Sequence, residues 1–459
     1  MHLLPGAHEA FAARAALARA AKRSIDAQYY IWHADLTGSL LFGELFAAAE
    51  RGVRVRLLLD DHNTPGLDPI VAALDAHPNI EVRLFNPFRI RKPRLLGFLT
   101  DFRRLNRRMH NKSFTVDGEA TIVGGRNVGD EYFGAGEGAL FVDLDVLAVG
   151  PVVEEVSNDF ERYWTSAPAH PTSKVVAPLR AGQPDEVRSR LAAKANDPKA
   201  LAYMAAVGDL PQSGQLPFEW APVRMVSDNP VKVLGRARRR ELILRKMVAT
   251  MGEPRRRIDL VSGYFVPTRS GTRSLTALAR RGIEVNILTN ALEATDVPIV
   301  HAGYAKWRRK LLRAGVRIFE LRRPDAAARP PRPARSRPGS GSAASRLGGA
   351  GSALHAKTFL VDGERLFVGS FNFDPRSANL NTELGFVIAS PALAEGIQSD
   401  LQRLAPARAY EVRLSPEDRL YWVERRDGGN VRHDIEPGAS RWRRLAVRFL
   451  SRLPIEWLL

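Results

Sequence analysis

From Ser24 to Asp61 the chain reads SIDAQYYIWHADLTGSLLFGELFAAAERGVRVRLLLDD. A short apolar run, a polar turn, a longer amphipathic stretch and a second apolar run follow one another, the pattern of strand, turn, helix, strand. The same order returns at 257–290 as RIDLVSGYFVPTRSGTRSLTALARRGIEVNILTN. Gly52 follows AAAER and Gly282 follows ALARR, where each helix needs a left-handed residue to end. Strands alternating with helices predict an α/β fold, a mixed sheet flanked by helices, in each half. Repetition of the pattern predicts two duplicated lobes in a pseudo-two-fold arrangement.

The register of the two halves persists downstream, and the second half is longer by 15 residues between its helix and its later motif. That is where the Pro/Gly/Ser/Arg tract 322–352 lies, a composition that cannot bury a core and reads as a disordered loop. Residues 166–222 match neither repeat and read as a connecting helical insertion. The expected organisation is therefore an N-terminal lobe over 1–165, the insertion, a C-terminal lobe over 223–400, and a tail over 401–459.

Within each half the pattern carries chemistry. HNKSFTVDGEATIVGGRN (110–127) and HAKTFLVDGERLFVGSFN (355–372) both fit H-x-K-x4-D-x6-G-[GS]-x-N. They place His110, Lys112, Asp117 and Asn127 at the offsets of His355, Lys357, Asp362 and Asn372. HNKSFTV and HAKTFLV read as strands, so His and Lys at i and i+2 point to one face. An imidazole and an ammonium are poor core material, because burying charge is costly. They make sense facing an anion such as a phosphodiester, with Lys112, Lys357, Asn127 and Asn372 donating to its non-bridging oxygens. Two such half-sites across a pseudo-two-fold axis set two histidines on either side of one phosphorus. One neutral imidazole attacks; the other, protonated, supplies the leaving alkoxide with its proton. Each imidazole needs a carboxylate on its other nitrogen, and Asp143 and Glu383 are the candidates. Asp117 and Asp362 are expected to anchor the lysines or the loop, and each Asp-Gly pair also reads as a hairpin turn.

Charge narrows the partner. Sixty-eight basic against fifty acidic residues leave +18, an attraction for polyanions or an anionic membrane. With no cysteine, disulfides and zinc–thiolate sites are excluded, and a reducing compartment fits. Glu9 and Arg14 interrupt the N-terminal apolar stretch, so a helix rather than a signal peptide is expected there. No run of about 18 apolar residues predicts a spanning helix. Two basic stretches are amphipathic. RIRKPRLLGFLTDFRRLNRRMH (89–110) puts Leu95, Phe98, Leu99, Phe102, Leu105 and Met109 on one helical face, and RWRRLAVRFLSRLPIEWLL gathers Trp442, Leu445, Phe449, Leu450 and Leu453 on one arc. Such helices pack on their own domain, lie on an anionic interface, or meet nucleic-acid phosphates.

The duplicated His-Lys-Asp motif resembles that of the phospholipase D superfamily. The stretches DAQYYIWHAD, GYFVP and LNTELG, together with the ending RLPIEWLL, resemble bacterial cardiolipin synthases of the subclass that uses phosphatidylethanolamine as donor with phosphatidylglycerol. The resemblance implies two α/β lobes around one site without metal or cofactor, His110 as nucleophile and His355 as acid. It carries over Lys112, Asn127, Lys357 and Asn372. Gly125 stands where the motif often has Ser, which removes one hydroxyl donor, while Ser370 keeps it for phosphate binding in the second half. The expected activity is phosphatidyl transfer at the cytoplasmic face of the inner membrane, by a peripheral protein. Lipid hydrolysis, nucleic-acid phosphodiester cleavage and a dormant membrane scaffold are the alternatives, with nucleic acid the less favoured partner.

Overall fold

The computed structural model describes every residue except Lys92, 137–139, 209–215, 324–352, 427–428 and 454–459. The loop expected over 322–352 and most of the ending RLPIEWLL lie outside the described residues.

The first sheet holds β1 (His2–Leu4), β2 (Ser24–Ile31), β3 (Arg54–Asn63), β4 (Ile80–Phe85), β5 (Ser113–Val116) and β6 (Ala120–Gly124). After β7 (Phe141–Val142), which pairs elsewhere, come β8 (Asp145–Val149) and β9 (Ala169–Pro171). Their order is β1-β8-β6-β5-β2-β3-β4-β9. The second sheet takes β10 (Val223–Ser227), β11 (Arg257–Ser262), β12 (Glu284–Asn290) and β13 (Arg317–Leu321). β14 (Ala353–Leu354) again pairs elsewhere, and β15 (Lys357–Val361), β16 (Arg365–Gly369), β17 (Leu384–Ala389), β18 (Ala409–Leu414), β19 (Leu420–Arg426) and β20 (Gly429–His433) complete the sheet. Its order is β10-β17-β16-β15-β11-β12-β13-β18-β19-β20.

The inner six strands repeat. β2, β3 and β4 run parallel, as do β11, β12 and β13, while β5, β6 and β8 match β15, β16 and β17 in antiparallel pairing. The expected helices lie between them: Leu36–Glu50 is capped by Asp35, whose carboxylate accepts the Gly38 N–H, and ends before Gly52 at φ 91°. Asp117 and Gly118 have φ of 55° and 69°, and Asp362 and Gly363 have 58° and 69°, so both Asp-Gly pairs form turns of the hairpin kind.

Outside the repeat the structure corrects the sequence reading. The segment after 400 is more than a tail: β18 pairs β13, and Tyr410, Val412 and Trp422 enter the core of the second lobe. The described residues of 166–208 are folded onto the first lobe, with β9 on β4 and Val187, Leu191, Ala200 and Tyr203 in its core. The stretch 89–109 is not one helix. It forms Arg94–Thr100 and Phe102–Leu105, then straightens. The straightened segment is held to its own lobe by Met109 N–H, which donates to Asp60 at 2.8 Å, and it reaches the other lobe through His110 N–H to the Thr382 carbonyl and Thr382 N–H to the Arg108 carbonyl, both at 2.9 Å. Apolar packing closes the same interface. Val123, Val146, Val152 and Val156 share one buried group with Leu360, Leu366, Val368, Leu384, Phe386 and Ile388. The strands bearing the two motifs are thus held back to back by apolar burial, which fixes the distance between their histidines.

Candidate active site

Each half-site sits at the lead-in to a strand. β5 opens at Ser113 and β15 at Lys357, so the His-x-Lys triplets lie at the strand starts and not within them. The i, i+2 spacing still sets imidazole and ammonium on one side. Lys112 Nζ donates to the carbonyl of His110 at 2.5 Å, and Lys357 Nζ donates to the carbonyl of His355. All four side chains are buried.

The carboxylates cross between lobes. His110 of the first lobe has its Nδ1 2.8 Å from Glu383 Oε2 of the second. His355 of the second lobe has its Nδ1 2.5 Å from Asp143 Oδ2 of the first. Asp143 and Glu383 occupy equivalent positions, each two residues before the β8 or β17 residue that faces the motif glycine. Backbone ladders support the crossing: β7 pairs β14 in parallel, and His355 N–H donates to the Val142 carbonyl at 2.8 Å. The sequence named both acids; only the structure shows that each serves the other lobe's histidine.

The two carboxylates are braced differently. Glu383 accepts from Ser370 Oγ at 2.5 Å and from Ser377 Oγ at 2.7 Å, and its N–H donates to Asp228 at 3.0 Å. Asp143 accepts from its neighbour's Leu144 N–H at 2.8 Å. The shorter acid must come closer, and Gly125 makes room for it: a Cβ on Gly125 would lie 2.1 Å from Asp143 Oδ1. Gly125 is therefore more than a lost hydroxyl. It is the counterpart of Ser370, emptied so that an aspartate can reach. Ser370 in turn is spent on Glu383 and not on the phosphate position expected for it.

Electrostatics separate the halves further. Burial, then Lys112, Lys357 and His355, push the His110 imidazole well below its usual range. His355 is lowered by burial and Lys357, but Asp143 opposes the fall. Burial alone would raise the Asp143 carboxyl; His355 and Lys357 outweigh it and hold it low and ionised. Burial raises Glu383 against Lys112 and the two serine hydroxyls. Lys112 is depressed by burial, and Lys357 is brought to about 8 against the pull of Asp143 and Glu383. Each histidine feels the other's lysine, and the crossed carboxylate contacts bring the two half-sites together. Positive charge buried in this way is stabilised by an incoming anion.

The remaining motif residues divide. Asn127 Nδ2 donates to Tyr132 Oη at 2.9 Å and its Oδ1 accepts the Ile31 N–H, whereas Asn372 Oδ1 is buried without a hydrogen-bond partner among the described residues. Asp117 and Asp362 do not reach the pocket or the lysines. Asp117 accepts the N–H groups of Lys22, Arg23 and Ser24, and Asp362 those of Arg255, Arg256 and Arg257, tying each hairpin to the start of β2 or β11. Sequence reasoning missed the rings. Tyr30 stands edge-on to His110 at 5.0 Å with Lys112 Nζ 5.5 Å from its centroid, and Tyr132 stands edge-on to His355 at 5.3 Å. Tyr30 lies in the quoted DAQYYIW, but nothing in that run marks which tyrosine faces the site. Two groups among the described residues bring three potential metal ligands together, His33–Asp35–Glu131 and His301–Glu320–Glu436. The Arg308 guanidinium occupies the second, and neither includes His110 or His355.

Comparison with known proteins agrees with this geometry. The family described as "Cardiolipin synthase, PLD-like domain" matches residues 15–164 and 247–405. Cardiolipin synthase C of Escherichia coli K12 is 50% identical over 456 residues, covering 98% of this chain and 94% of that protein. Cardiolipin synthase B of the same organism is 25% identical over 403 residues, 85% of this chain and 77% of that one. The crystal structure of a phosphatidylserine synthase from Haemophilus influenzae superposes with a TM-score of 0.61 at 14% identity, covering 100% of this chain and 95% of the other, which shows a shared fold. With the family model spanning both lobes and a half-identical relative spanning nearly the whole chain, this protein is an enzyme of the phospholipase D superfamily and belongs to its cardiolipin synthase family.

Proposed function

We propose that the chain makes cardiolipin from phosphatidylglycerol and a second phospholipid, phosphatidylethanolamine, through a phosphohistidine on His110. The observation that carries this reading is the pair of crossed His–carboxylate contacts in one lysine-lined pocket. Lys112, Lys357 and the Nδ2 of Asn372 donate to the non-bridging oxygens, with Asn127 fixed by Tyr132. His110, kept neutral by burial and then by the lysines beside it, attacks phosphorus with Nε2. The P–O bond to ethanolamine breaks, and His355, facing ionised Asp143, supplies the proton to the leaving oxygen. A hydroxyl of phosphatidylglycerol then attacks the same phosphorus, His355 takes up its proton, and the P–N bond breaks to free His110. The products are cardiolipin and ethanolamine.

The homologues named for cardiolipin synthesis support the substrate class. The net charge of +18 fits an anionic lipid surface, and the absence of cysteine fits the reducing, cytoplasmic side of the inner membrane. Among the described residues no helix is long and apolar enough to cross a membrane, so a peripheral position follows from this reading. The test is product analysis with phosphatidylethanolamine labelled in the phosphatidyl part, with and without phosphatidylglycerol. Labelled cardiolipin supports the proposal. Phosphatidic acid alone would assign a hydrolase, and cardiolipin formed only from phosphatidylglycerol would remove ethanolamine as leaving group.

A further inference from the structure

Two helices, one in each lobe, carry their apolar side chains outward. In Arg441–Leu450 the stripe Trp442, Leu445 and Phe449 is 81%, 55% and 63% exposed, while the small inner side packs Val447 against Leu292 and Ala302. Two of its arginines turn inward: Arg443 donates to the Thr295 carbonyl at 2.7 Å, and Arg444 to the Ala439 carbonyl at 2.6 Å. Arg94–Thr100 repeats the arrangement. Leu95 and Leu99 are 71% and 73% exposed, and Arg94 turns in to the Asp61 carbonyl at 2.7 Å. An amphipathic helix packed on its own domain does the reverse.

Both helices are wired to the catalytic histidines. On the first lobe Tyr30 joins His110 to His62 at 6.4 Å, and His62 meets Phe98 of the helix at 5.5 Å. On the second, a Cβ on Gly263 would lie 3.3 Å from His355 Cα, the next residue Tyr264 donates to Asp296 at 2.7 Å, and Asp296 adjoins the Thr295 that anchors Arg443. A short series of contacts therefore links each apolar stripe to one of the two histidines, one in each lobe. Around them Arg89, Arg103, Arg441, Arg448 and Arg452 are exposed and make no ion pair among the described residues. Exposed apolar stripes rimmed by free cations fit an interface that is greasy below and negative at its surface.

We infer that these two helices form a single docking surface for an anionic phospholipid bilayer, seating the mouth of the pocket against the lipid headgroups. The inference rests on the lipid substrate proposed above, and it adds which face meets the membrane and which residues hold it there. The charge of the chain and the unpaired arginines beside both stripes favour a bilayer over a second copy of the same basic protein, which like charge would repel.

The experiment uses the full chain and mixed phosphatidylcholine–phosphatidylglycerol vesicles, with pure phosphatidylcholine vesicles as the neutral control. Leu95→Glu/Leu99→Glu and Trp442→Glu/Leu445→Glu are compared with the unaltered protein by co-sedimentation and by turnover of a short-chain donor kept monomeric. Each pair is expected to weaken binding to the anionic vesicles by roughly 10-fold, and the four together by more, with short-chain turnover unchanged. Failure of the unaltered protein to use the short-chain lipid would count against the lipid reading itself. Full vesicle binding by the fourfold variant would overturn the docking surface. So would a lipid-free dimer that the same substitutions dissociate, since it would assign both stripes to a second copy.

Discussion

The half-site of His110 and the half-site of His355 come from one repeated pattern, yet they hold their imidazoles in different ways. His110 faces a glutamate with a raised carboxyl, braced by two serines, and is itself pushed toward neutrality by burial and then by Lys112 and Lys357. His355 faces a short, ionised aspartate that opposes the loss of its proton. Duplication supplied two equivalent positions, and a one-carbon change in the acid, matched by Gly125 against Ser370, made them unequal. The difference suits a reaction that needs one base-like nucleophile and one acid at the same phosphorus.

The strongest way to break this comparison is to remove each histidine and vary the leaving group. His110→Ala should lower turnover by at least about 10³-fold on every donor. His355→Ala should lose as much on natural lipids, but recover to within roughly 10-fold of the unaltered enzyme on a nitrophenyl phosphodiester, whose leaving group needs no proton. Steady-state assays on the two donors check this, and equal rescue of both variants would erase the distinction.

Gly125→Ser sharpens the comparison one step out. Its new Cβ would press on Asp143, costing about 1–3 kcal/mol of stability by overpacking and lowering turnover by roughly 10²-fold through a displaced carboxylate. Ser370→Gly opens space and removes one of two hydroxyls from Glu383, so its loss should stay within roughly 10-fold. Thermal unfolding and turnover of both variants measure the contrast.

Charge gives a subtler handle. Lys112 depresses His110, so Lys112→Met should raise the pKa of His110. The neutral fraction then falls at a given pH, and the acidic limb of kcat/KM moves to higher pH. A pH–rate profile with the short-chain donor reads the displacement; an unmoved limb would detach Lys112 from His110.

Much of this was legible in the chain. The two inner sheets followed from apolar runs set around an amphipathic stretch, and the half-sites from His and Lys at matching offsets. The crossing of Asp143 and Glu383 was not legible, because it depends on how two lobes pack, and apolar strands such as IVGG and FVGS look alike from either side. Asp117 and Asp362 were left between two tasks, the lysines or the loop, for a related reason: fixed spacing marks a needed residue without saying for what. Three backbone N–H groups converge on each, so their task is to close the fold. The strands after 400 were hidden by their arginines, since YEVRL and LYWVERR alternate apolar with charged residues as an edge sheet does.

That reassignment yields the smallest effect. Asp117→Ala should cost about 1 kcal/mol of stability, discounted for the exposure of the site, with kcat unchanged. The Asp117 carboxyl is depressed in the folded chain, where three backbone N–H groups outweigh partial burial. Its contribution is therefore full above the unfolded value of about 3.9 and is lost as pH falls through the lower folded value. Denaturant unfolding at neutral and at acid pH should show the gap between variant and parent narrowing only in acid.

The central claim is that both histidines work on one phosphorus with His110 alone bonding to it. Rapid quenching into alkali during turnover of a donor labelled in its phosphatidyl group, followed by peptide mapping, tests it directly. The account predicts the label on the peptide that contains His110, accumulating when the acceptor alcohol is withheld and discharged when it is added. Label on His355, or continued turnover with no labelled peptide, would contradict it.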